Sequence, residues 1–130
     1  MGIPRNAFLC LVEKGIARIP ARFLEELENV AVIVEDEPTR SQLRELGMRR
    51  GDLLLGLYEG VPHTAGGHAH RTYPDKITLF RNHIEVVARG EGDVARVVAE
   101  TVRHEIAHHL VMEEHEVRRA ERRRPRRMLQ

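Results

Sequence analysis

His104 and His108 stand four residues apart, and Glu105 follows the first directly, in the run His104-Glu105-Ile106-Ala107-His108. On a helix the two imidazoles project about 40° apart and one turn, about 6 Å, along the axis, so both can reach one metal ion. Zn²⁺ takes neutral imidazole at about 2.0–2.1 Å, and its catalytic sites keep one position open for water. A carboxylate beside the first ligand can take that water's proton, while the ion lowers the water's pKa toward about 7 and polarises a carbonyl. The chemistry this spacing permits is hydrolysis by activated water, with no covalent enzyme intermediate.

The element that must carry these groups is a helix starting at Asp93, a capping residue after Gly92, with Val94, Val97, Val98, Val102, Ile106 and Leu110 as its apolar face. Upstream, Phe8, Leu9, Leu11, Val12, Ile16 and Ile19 fall at helical spacing, and Phe23, Leu24 and Leu27 resume it after Pro20. One interrupted helix or two short ones follow. Val30–Val34 reads as a short buried strand, and Thr39–Leu46 as a short helix stopped by Gly47. Leu53–Tyr58 and Ile77–Phe80 read as two further strands, with a histidine-containing loop between them. Helices lead, strands cluster in the middle and helix closes the chain, so the class is α+β, a small sheet packed on helices.

Several other residues invite a chemical reading. His109 points about 100° away from His108 and is better suited to packing or to the surface than to the same ion. His63, His68 and His70 belong to the Gly-rich loop, where solvated histidines are the plain reading and a further metal ligand the sharper one. Gly66 and Gly67 mark a turn and do not make a phosphate loop. Cys10 stands alone, so neither an internal disulfide nor a CxxC knuckle is available, and a reducing cytoplasm is expected. The residue itself is expected to pack on its helix.

With 130 residues, 42% hydrophobic and 32% charged, the chain fits one domain with a small core. No apolar run reaches the roughly 18–20 residues of a membrane span, and the first residues lack an export signal's long apolar stretch. The net charge of +1 conceals an asymmetry, because Arg118, Arg119, Arg122, Arg123, Arg124, Arg126 and Arg127 crowd the C-terminus. A domain over residues 1–117 with an Arg-rich tail over 118–130 is expected. The tail suits a solvated helix end or a weak contact to nucleic acid or an acidic partner, and it lacks the aromatics that stack on single strands.

Beyond the motif, the segments NVAVIVEDEP, LLGLYEGVP, PDKITLFR and TVRHEIAHH resemble the successive blocks of the small bacterial zincin-like metallopeptidases, and span most of residues 20–110. The resemblance implies a zincin-like fold with a small mixed sheet of three or four strands, zinc as the ion, His104 and His108 as ligands, Glu105 as general base, and a peptide or protein substrate. Members of that family commonly continue as HExxHxxGxxD, in which the glycine ends the helix and the acid supplies a further ligand. Here Val111 stands at the glycine position and Glu114 at the acid position.

On an unbroken helix Glu114 would lie about 15 Å along the axis from His104, too far to share its ion. A helix continued to Arg124 would also span about 46 Å, more than the breadth of a domain of this size. The expectation is therefore a break between Leu110 and Glu113, with Glu114 as third ligand. His115 is the first alternative, and His68 or His70 the second if the helix runs on. Two rival functions stand beside peptide hydrolysis: a zinc-assisted endoribonuclease and a metal-binding module without turnover.

Overall fold

In a computed structural model, residues 2–60 and 74–123 are described, with side chains as far as His115. The chain starts with α1 (Arg5–Ala17) and α2 (Ala21–Glu26), separated where Pro20 caps the second helix. There follow β1 (Val30–Glu35), α3 (Arg40–Glu45), β2 (Gly56–Glu59), β3 (Asp75–Phe80), α4 (Arg81–Val87) and α5 (Val94–Arg123), with single 3₁₀ turns at Leu27–Asn29 and Glu91–Asp93. The expected α+β class, with a mixed sheet on helices, is what forms.

The sheet order is β1-β3-β2. β3 lies in the centre, parallel to β1 with Val32 opposite Ile77, and antiparallel to β2 with Gly56 opposite Leu79. β2 is shorter than its apolar run suggests. Leu54 and Leu55 are held outside the ladder, by the Leu54 N–H donating to His83 Nδ1 at 3.0 Å and the Phe80 N–H donating to the Leu55 carbonyl at 2.9 Å. α3 opens with Thr39 and Gln42 bonding each other's backbone N–H. It closes at Gly47, whose φ of 68° gives the left-handed turn expected of it.

α4 has no counterpart in the sequence reading. Its segment RNHIEVV carries three β-branched residues and no side-chain cap, and it begins directly where β3 ends, so no local signal separates the two. Burial decides: Ile84 is fully enclosed against the core formed by Phe8 and Val12 of α1, Ile77 and Leu79 of β3, and Val94, Val98, Val102 and Ile106 of α5. Each of these aliphatic side chains contributes about 1.5–3 kcal/mol when fully removed from water.

Two expectations fail here. α5 does not break between Leu110 and Glu113; it continues as α-helix to Arg123, and no non-glycine residue among those described has a positive φ. A left-handed Val111 would have cost about 1–2 kcal/mol, and the residues after it are mostly good helix formers, so continuing the helix is the cheaper course. The end of the domain anticipated at residue 117 therefore falls inside a helix about 45 Å long. Cys10, expected to pack, is exposed. No helix among the described residues is long and apolar enough to cross a membrane.

Candidate metal centre

α5 buries Val98, Val102 and Ile106 and turns His104 and His108 outward, both exposed. Their ring centres are 6.5 Å apart and their planes differ by 15°. Two imidazoles on one tetrahedral ion have ring centres about 5 Å apart, so the rings fit the first two ligand positions after a closure of about 1–2 Å, which exposed side chains reach by small χ rotations.

Glu105 points toward the sheet. Its Oε1 accepts the Tyr58 N–H of β2 at 3.1 Å, which fixes the carboxylate and ties the edge strand to the helix. The strand comes this close because position 56 is glycine. A Cβ there would lie 2.7 Å from Cγ2 of Thr101 on α5, closer than real side chains approach. Thr101 is itself held by its hydroxyl donating to the Val97 carbonyl at 2.7 Å.

The Tyr58 side chain continues the attachment. Its ring stacks on His109 with 3.9 Å between centres and 13° between planes, which gives His109 the packing role expected for it. The phenol donates to Asp75 Oδ2 at 2.8 Å. Burial, then the bond to Asp75 and the negative charges of Asp75, Glu113 and Glu26, push the phenol's pKa well above the usual tyrosine value. His109 Nε2 in turn donates to Glu113 Oε1 at 3.0 Å.

A cavity of about 610 Å³ opens over this arrangement, lined by His104, Glu105 and His108 together with the apolar Leu46, Met48, Leu57 and Met112. The site thus brings together His104, Glu105 and His108. It does not bring in Glu114, which on the unbroken helix lies about 9 Å along the axis beyond His108 and on another face, nor His115, farther still. Among the described residues no group of three His, Cys, Asp or Glu side chains converges as a metal cage. The alternatives His68 and His70, His63, and the Arg tail beyond residue 123 lie outside the described residues. Tyr58, Asp75, Gly56 and His83 are the contributors that sequence reasoning passed over. Only Gly56, a glycine within an apolar strand, carried a local hint of close approach.

The family model for zincin-like metallopeptidases matches residues 27–124, which include every residue of this site. The chain belongs to this family. Zincin-like architecture is also that of a similar solved structure, a conserved hypothetical protein from Thermo thermophilus. It is 29% identical, with a TM-score of 0.57 over 87% of this chain and 99% of that one. No curated protein matches the zincin-like chain.

Proposed function

We propose that this zincin-like chain is a zinc-dependent peptidase that hydrolyses peptide bonds with water as the nucleophile. The observation that carries the reading is Glu105, a carboxylate one residue after His104, fixed by the Tyr58 N–H and opening on the cavity that both histidines line. His104 and His108 would hold the ion, which when bound acidifies water and polarises a carbonyl. Glu105 accepts a proton from water as the water oxygen bonds to the carbonyl carbon. It then delivers that proton to the amide nitrogen as the C–N bond breaks, leaving a free acid, a free amine and the carboxylate restored. The Tyr58 N–H keeps the carboxylate oriented through both transfers. A carboxylate at this place also disfavours the endoribonuclease reading, because it would repel a phosphodiester.

The test is a peptide library incubated with zinc-loaded wild type and with Glu105→Gln, cleavage being read by mass spectrometry. The amide keeps the carboxylate's shape but cannot take the proton, so cleavage should fall by about 10²–10⁴-fold with zinc content unchanged. Equal cleavage by the two proteins, or metal-dependent cleavage of RNA with none of peptide, would overturn the proposal.

A further inference from the structure

A second cavity, of about 470 Å³, lies on the other flank of the same helix and shares Leu54, Gly56, His104 and Glu105 with the first. A chain laid across Glu105 therefore reaches into both. Around the helix axis Arg96, Glu100 and Arg103 fall on one side of His104, and His109, Met112 and Glu113 on the other.

The two cavities differ in charge. Glu113 supplies negative charge to the first, whose remaining walls are largely leucine and methionine. The second has an apolar floor of Leu54, Leu55, Val87 and Val97 beneath Arg96, Glu100 and Arg103. Arg96 is fully engaged: its Nε donates to Asp93 Oδ1 at 2.6 Å and its Nη1 to Glu100 Oε1 at 3.0 Å. Arg103 is exposed and has no hydrogen bond or ion pair with any described residue. Glu100 is taken up by Arg96, so one guanidinium is left over the apolar floor. A guanidinium offers two parallel N–H donors that match a carboxylate, and an adjoining apolar surface strengthens the attraction relative to two fully hydrated ions.

We propose that Arg103 is a specificity residue: the second cavity takes a carboxylate-bearing residue of the peptide while the first takes an apolar side chain, so the substrate is acidic on one side of the scissile bond and apolar on the other. This deepens the peptidase reading and rests on it for the placement of the scissile bond. The carboxylate comes from an Asp or Glu side chain or from the peptide's own C-terminus, and either would be held by the same two donors.

The test uses zinc-loaded full-length Glu105→Gln and fluorescent octapeptides, acetylated and amidated, with Leu-Glu, Leu-Gln or Leu-Lys at the centre, plus a free-acid tetrapeptide ending in Leu-Gln. Fluorescence anisotropy should show the Leu-Glu peptide, or the free acid, binding about tenfold more tightly than Leu-Gln in its amidated form. That preference should vanish in Arg103→Gln, and Arg103→Glu should favour Leu-Lys instead. Whichever acidic peptide keeps the preference identifies the carboxylate's source. Equal affinities across the series, no binding of any peptide, or a preference that survives Arg103→Gln would overturn the proposal. Wild-type cleavage of these peptides regardless of charge would discard Arg103 and keep the peptidase reading. A charge preference lost in Arg103→Gln, with no cleavage by wild type, would do the reverse.

Discussion

The backbone N–H of Tyr58 donates to Glu105 Oε1 at 3.1 Å across a sequence separation of 47 residues. This bond joins the edge of the sheet to the helix that carries both histidines, so the position of β2 and the orientation of the carboxylate are coupled. The Tyr58 ring on His109 and its hydroxyl on Asp75 hold the same strand from the side-chain end.

Glu105→Gln retains a carbonyl oxygen that accepts the Tyr58 N–H, whereas Glu105→Ala leaves that donor without its partner. Urea denaturation should find Gln within about 0.5 kcal/mol of wild type and Ala about 1–2 kcal/mol less stable. Equal stabilities for the two variants would show that the bond does not hold the strand.

Gly56→Ala sets a methyl group against Thr101 Cγ2, and should cost about 1–3 kcal/mol while pushing β2 away from Glu105. Thr101→Ser removes that methyl and keeps the hydroxyl that bonds the Val97 carbonyl. The double variant should recover at least half of the loss in thermal denaturation. Additive losses would place the crowding elsewhere.

What was legible in the sequence was local. The helical face of His104 and His108, the β-branched run of β1 and the stop at Gly47 are set by residues within a turn or two of one another, and they formed as expected. α4 was not legible, because only the burial of Ile84 makes a helix of a segment with little helical preference. Nor was the Tyr58–Glu105 bond, which exists only once β2 is laid on α5. The expected break in α5 came from the family's glycine and acid at positions where this chain has Val111 and Glu114. A helix of good formers, with His109 and Glu113 paired one turn apart, had no reason to stop there.

The Tyr58 phenol, whose pKa is raised in the folded protein, gives a pH dependence of definite sign. Below the ordinary phenol range, about 10, both states hold the proton and stability is unaffected. Above it the unfolded chain releases the proton first, so stability should decline as pH rises through the alkaline range toward the folded-state value. Tyr58→Phe should flatten this decline between about pH 9.5 and 11.5. An unchanged slope would assign it to other groups.

Because α5 is continuous past His108, neither Glu114 nor His115 lies within reach of an ion held by the two histidines. Zinc affinity, measured by competition with a chromogenic chelator, should change by less than about twofold in Glu114→Ala and in His115→Ala, against a loss of about 100-fold or more in His108→Ala. A comparable loss in Glu114→Ala would mean that the helix unwinds when metal binds.

The most direct measurement is the zinc bound per chain after dialysis against buffered Zn²⁺, for wild type and for the double variant His104→Ala, His108→Ala. One ion per wild-type chain, and none on the double variant with its fold retained by circular dichroism, is the predicted result. Equal zinc on both proteins would contradict the account, since the metal would then sit away from Glu105 and the water it is placed to deprotonate.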